Sequence, residues 1–181
     1  MLYVKNLKFL VPRRRLVVDF DGTLTRWQTG DPIEKVSSDG YCRYLPAHEN
    51  LVKALRDPRV LAKYEEYIWS SVLPYEWVIP DKNFWADRET PQIAAERRLY
   101  TPFGVSKMAY INDAFEPRKG DVYLDDYTYN LFEAEELTRL TPVKAWDRYV
   151  NGTKGRWAAH NGAVIDVNAP AEEITMALLA M

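Results

Sequence analysis

Leu16-Val17-Val18-Asp19-Phe20-Asp21-Gly22-Thr23-Leu24-Thr25 is an apolar, β-prone run that ends in two carboxylates, a glycine and two hydroxyls. Asp19 and Asp21 are two apart, so a continuing strand would set both on one face. Gly22 lets the chain turn away, and backbone N–H groups freed by such a turn can meet an anion. Two acids beside an anion site make sense only when a cation neutralises part of their charge. The chemistry this points to is Mg²⁺-dependent phosphoryl transfer through an aspartyl nucleophile. A bare Asp-x-Asp would read as a strand ending in a solvated Asp-Gly turn. The full string after a buried strand favours the phosphoryl reading.

A second acidic strand end follows at Val122-Tyr123-Leu124-Asp125-Asp126. Alone it is weak, because acids often begin the next helix as N-caps. Beside Asp19 it gains meaning, since a hard cation recruits further carboxylate and carbonyl oxygens.

The first string resembles the opening signature motif of the haloacid dehalogenase superfamily. The resemblance implies an α/β fold: a Rossmann-like core, a parallel sheet flanked by helices, with the site at the carboxyl ends of the strands. It makes Asp19 the nucleophile and Asp21 the general acid/base, a second acid that the dehalogenase branch does not use. The fourth motif of that family is an acidic pair, often with an Asn a few residues on, and Asn130 follows Asp126 by four. Asp125 would then be a direct Mg²⁺ ligand and Asp126 a direct or water-mediated one, with Asp19 and the backbone carbonyl of Asp21 completing the set. The second motif is a Ser or Thr after a short strand, and Ser70 and Ser71 follow Tyr67-Ile68-Trp69. Either hydroxyl could bind the phosphoryl group; similarity of the local run to a Trp-Ala-Thr variant favours Ser71. The third motif is a lysine. Lys107, 18 residues before Asp125, has a suitable spacing, although a lysine in a first helical turn opposes the helix dipole. Lys82, Arg97 and Arg98 are fallback candidates. Gly22 and Thr23 belong to the phosphate-binding loop, Thr23 chiefly as its support.

At 181 residues the chain reads as one domain spanning 1–181, and its composition, 47% apolar and 28% charged, is ordinary for a globular protein. A formal net charge of −2 gives no overall basic field for nucleic acid. The single cysteine, Cys42, excludes an internal disulfide and fits a cytoplasmic setting, as a packed or idle thiol. Phe9-Leu10-Val11 is too short for a signal segment and no stretch approaches a membrane span, so no membrane partner is expected. Arg13-Arg14-Arg15 reads as a solvated lead-in to the first strand, with contact to a polyanionic substrate as the minority reading. The histidines, His48 and His160, show no metal-ligand spacing.

Along the chain, residues 16–20 read as a strand, 26–45 as a small hairpin flap over the site, and 47–56 as an amphipathic helix with a further turn or two to Tyr64. Residues 66–70 read as a strand. The Pro- and Trp-rich insertion 72–105 is expected to hold a helix at 91–99. Ser106 is the expected N-cap of a helix at 107–115, with Met108, Ile111 and Phe115 on one face. A strand at 121–124, a helix at 129–138 and a strand at 142–146 continue the β/α alternation. Asn161-Gly162 predicts a hairpin turn, and 170–180 a closing helix.

These readings converge on a Mg²⁺-dependent phosphomonoesterase with little or no cap, so the site is expected to be open or lightly covered, with larger phosphorylated substrates in reach. The missing large cap weighs against a phosphomutase. Trp27, Tyr41 and Tyr44 in the flap raise a nucleotide or nucleic-acid end as substrate, by base stacking, although packing explains such aromatics as well. The competing reading is a non-catalytic phosphate-binding or interaction module on the same fold. The sequence sets no oligomeric state.

Overall fold

The computed structural model describes residues 12–26, 30–150, 157, 159–160 and 162–181, without the side chains of 111–114. Six strands form one parallel sheet in the order β3-β2-β1-β4-β5-β6. They are β1 (Arg14–Asp19), β2 (Tyr64–Val72), β3 (Arg98–Pro102), β4 (Val122–Asp125), β5 (Thr141–Trp146) and β6 (Ala163–Asp166). The helices are α1 (Ile33–Val36), α2 (Glu49–Leu55), α3 (Pro58–Lys63), α4 (Val78–Glu89), α5 (Lys107–Ala114), α6 (Thr128–Leu137) and α7 (Ala171–Ala180). Short 3₁₀ turns lie at Cys42–Tyr44 and Ala95–Arg97. The sheet matches a Rossmann-like haloacid dehalogenase core, with no large inserted cap domain among the described residues.

Strand β1 is central and apolar on both sides, as a covered parallel strand must be. Leu16, Val17 and Val18 have no exposed surface, and each contributes roughly 1.5–3 kcal/mol by burial. Their alternation divides the core. Leu16 and Val18 join Val122, Leu124 and Ile68 beneath α2, α3, α4 and α7; Val17 joins Tyr123 and Trp69 beneath α5 and α6. Strand order reverses between β1 and β4, and at such a switch point the connections diverge and leave a crevice at the carboxyl ends. The register pairs Val18 with Leu124, so the next positions on the two strands are Asp19 and Asp125.

Several expectations need correction. The described part of the 26–45 flap is not a hairpin: it forms α1 and the 3₁₀ turn at Cys42–Tyr44, entered and left beside an isolated Thr25–Ala47 bridge. Trp27 lies outside the described residues. The insertion holds its helix at Val78–Glu89, not at 91–99, where a 3₁₀ turn leads into β3. Asn161 of the expected hairpin turn lies outside the described residues; Gly162 leads into β6, which pairs with β5 in parallel. Arg13 is exposed ahead of β1, as a lead-in would be, but Arg14 and Arg15 are not solvated. Arg15 is buried and ion-paired to Asp121 at 2.7 Å, and Arg14 donates to the carbonyls of Gly120 and Met181. Both begin β1, at the end of the strand remote from Asp19. Among the described residues no helix is long and apolar enough to cross a membrane.

Flap and insertion are bound to each other. The buried Asp81 on α4 accepts from the Gly40 N–H at 2.7 Å and pairs with Arg43 at 2.9 Å. Trp77 and Trp85 donate their indole N–H groups to the carbonyls of Ser37 (3.2 Å) and Leu45 (2.8 Å). The two segments therefore make one small wall beside the switch point.

Candidate active site

Asp19 ends β1, and Asp125 ends β4; both are buried. One carboxylate oxygen from each of Asp19, Asp125 and Asp126 lies within 4.8 Å of the others. Three like charges so close repel one another, and one ammonium contacts two of them directly. Lys107, in the first turn of α5, binds Asp19 Oδ1 and lies 3.1 Å from Asp125 Oδ2. Ser106 caps that turn, accepting from the Ala109 N–H at 3.2 Å. Burial would lower the Lys107 ammonium, but Asp125 and Asp19 outweigh it and raise it. Burial also pushes Asp19 up to about 7; Lys107 opposes this, while Asp125 and Asp21 add to it. Asp126 is pushed well above the usual carboxylate range by the same causes, burial first and then Asp125 and Asp19. The cluster is short of positive charge.

Asp125 is held from several sides. The Tyr123 hydroxyl and Asn130 Nδ2 (2.9 Å) donate to Oδ2, and the Tyr127 N–H donates to Oδ1 at 2.6 Å. Burial, followed by Asp125, drives Tyr123 well above its ordinary value, so the phenol stays a proton donor. The Asp126 N–H donates to Thr23 Oγ1 at 3.0 Å, tying the loop after β1 to the loop after β4. Lys144 on β5 donates to the Asp126 carbonyl and lies 3.0 Å from Thr128 Oγ1.

Asp21 does not share Asp19's partners. Strand β1 stops at Asp19, and Asp21 turns toward the other edge, where it accepts from Lys82 Nζ and from Ser70 Oγ (3.1 Å). Lys82 projects from α4, donates to Ser70 Oγ at 2.6 Å and sits 4.6 Å above the Phe20 ring. Each acid of the Asp-x-Asp string thus has its own buried lysine. Gly22 follows Asp21 with φ +82°, and a Cβ there would meet the Asp126 carboxylate.

The expected residues therefore divide into two groups. Asp19, Asp125, Asp126 and Lys107 meet at the switch point, with Asn130 in support. Asp21, Ser70 and Lys82 form a second constellation beside it. Ser71 lines the cavity above the acids, whereas Ser70 is committed to Asp21 and Lys82. The fallback arginines are structural: Arg98 bonds to Ile93 O, Asn83 and Asp87, and Arg97 to the carbonyls of Glu66 and Gln92. Sequence reasoning missed Tyr123, Lys144 and the pairing of Lys82 with Asp21. Tyr123 had a signal, since it points to the α5 face two residues before Asp125. Lys82 had none, as it lies 61 residues from its partner.

The cavity over these groups measures about 470 Å³ and is bounded by flap, insertion and the two acidic strand ends. Tyr41 lines it, with its hydroxyl on Asp31 at 3.2 Å; Tyr44 is 71% exposed and takes no part in the wall. Cys42 also lines it, and burial pushes its thiol up to about 11, which keeps it protonated and inert.

No family model matches this chain, and no curated protein matches it. The structure does place a parallel Rossmann-like sheet under a spatially clustered Asp triad, the arrangement typical of haloacid dehalogenase catalytic motifs. A buried Asp cluster positioned to chelate a divalent metal is consistent with an aspartyl-phosphatase active site.

Proposed function

We propose that residues 1–181 work as one Mg²⁺-dependent phosphomonoesterase of the haloacid dehalogenase type, with Asp19 as nucleophile. The observation that carries this reading is the meeting of Asp19, Asp125, Asp126 and Lys107 at the switch point of a parallel sheet. The donor set is all hard oxygen, with neither thiolate nor imidazole, which suits Mg²⁺. Asp19, Asp125, Asp126 and the Asp21 carbonyl would hold the ion, which supplies positive charge to the phosphoryl oxygens.

Lys107 orients the Asp19 carboxylate and offsets charge on the equatorial oxygens of the phosphoryl group. Asp19 attacks phosphorus in line, forming a new Oδ–P bond as the ester P–O bond breaks. Asp21 gives its proton to the departing oxygen. It then takes a proton from the water that attacks the aspartyl phosphate, releasing inorganic phosphate and restoring Asp19. Lys82 and Ser70 hold Asp21 by Oδ2, so Oδ1 is the oxygen assigned to proton transfer. Ser71 is the hydroxyl assigned to the phosphoryl group, because Ser70 is engaged elsewhere. Gly22 and Thr23 shape the loop that receives it.

The test is turnover of 4-nitrophenyl phosphate with Mg²⁺ and with a chelator. Metal-dependent release of phosphate, falling at least about a thousandfold in folded Asp19→Asn, is the expected result. Wild-type-like turnover in that variant would remove Asp19 from its role. Phosphate binding with no turnover would favour the binding-module reading.

A further inference from the structure

The cavity changes character between its floor and its walls. The floor is the acid and lysine constellation. The walls are Ile33 and Val36 from α1, Leu73 and Val78 from the approach to α4, and Phe103 after β3. Ile33 is 62% and Phe103 70% exposed, and both turn apolar surface to the same cavity. Two polar groups at the wall are already engaged: Tyr41 and Lys35 (2.7 Å) both bind Asp31.

Charge sets a second limit. The described residues lining the cavity include five carboxylates, Asp19, Asp21, Asp31, Asp125 and Asp126, against two ammonium groups, Lys82 and Lys107. Lys82 is held by Asp21, and Lys107 by Asp19 and Asp125. No arginine lines the cavity among the described residues. One divalent cation at the triad compensates one phosphoryl group. A second phosphate would find no further cation among the described lining residues, and the nearby Lys35 is already paired with Asp31. A polyol would lose its water to a wall with few hydrogen-bonding groups to replace it.

We propose that the site takes phosphate monoesters of uncharged apolar or aromatic alcohols, of a size to fill a cavity of about 470 Å³, and discriminates against polyphosphorylated and polyol esters. This rests on the phosphomonoesterase reading above. The apolar group lies against Ile33, Val78 and Phe103 while its oxygen, protonated by Asp21, leaves as the free alcohol.

The experiment compares kcat/KM of the Mg²⁺-loaded protein for 2-(1-naphthyl)ethyl phosphate, glycerol 1-phosphate and a 5′-phosphorylated trinucleotide. The three are esters of primary alcohols, so differences report the walls rather than the leaving oxygen. The naphthylethyl ester is expected to exceed each of the others by at least about a hundredfold. In Phe103→Ala its advantage over glycerol 1-phosphate is expected to shrink by about tenfold. Equal turnover of all three, or an advantage unchanged in Phe103→Ala, overturns the proposal and leaves the phosphomonoesterase reading standing. Silence on all three and on 4-nitrophenyl phosphate overturns the phosphomonoesterase reading itself.

Discussion

At Gly22 the backbone takes φ +82°, and a Cβ there would sit 2.5 Å from Asp126 Oδ2. Both facts restrict the position to glycine: the first by conformation, the second by space. Gly22→Ala therefore displaces a carboxylate of the triad, and its Mg²⁺ affinity by calorimetry should fall at least about tenfold. Lys82→Met keeps the aliphatic stem but removes the ammonium that holds Asp21. Its kcat should drop by about a hundredfold in steady-state assay, with the fold intact by circular dichroism. The meeting of Asp19, Asp125, Asp126 and Lys107 was legible in the sequence because each stands at or beside a strand end or at a helix start, where local pattern fixes position. The partner of Asp21 was not legible, because a contact across 61 residues leaves no periodic trace.

Element by element, local chemistry predicted most of the sheet and failed where tertiary pairing or a proline intervened. Residues 91–99 contain Ala94, Ala95, Glu96, Arg97 and Arg98, all good helix formers. Pairing of Arg98–Pro102 beside β2 wins over that preference. Helix α4 was obscured by Pro80, which sits in its first turn, where the missing N–H costs nothing. Arg15 looked solvated because its acid, Asp121, arrives 106 residues later. Arg15 lies 3.7 Å over the Phe115 ring as well as against Asp121. Arg15→Ala strands a buried carboxylate and should cost about 3–5 kcal/mol in urea unfolding. A loss below about 1 kcal/mol would return the arginine to the surface role its neighbours in sequence suggest.

For the whole molecule, buried titratable groups give stability a definite pH dependence. Burial raises Glu66 to about 7, with Gln92, Arg97 and Arg13 opposing it. Its folded value lies above its ordinary 4.5, so this contribution is full below pH 4.5 and is lost as pH rises through 7. Glu66→Gln should flatten the fall in Tm between pH 5 and 8, read by scanning calorimetry. Burial lowers His48 to about 4, so its contribution is full above 6.5 and is lost as pH falls through 4. Metal couples to the same balance. Below about 7 Asp19 carries a proton that a cation must displace, so Mg²⁺ should stabilise the protein more at pH 8 than at pH 6. At a hundred times Kd the gain is about 2.7 kcal/mol. An equal rise in Tm at both pH values would contradict the triad as the metal site.

The most direct measurement is chemical trapping of the aspartyl phosphate. Protein turning over a phosphate monoester with Mg²⁺ is acid-quenched, reduced with borohydride, and mapped by mass spectrometry. Reduction of the acyl phosphate converts the attacked aspartate to homoserine. The prediction is homoserine at position 19, dependent on Mg²⁺ and substrate. Turnover with Asp19 unmodified, or homoserine at another aspartate, would contradict the assignment.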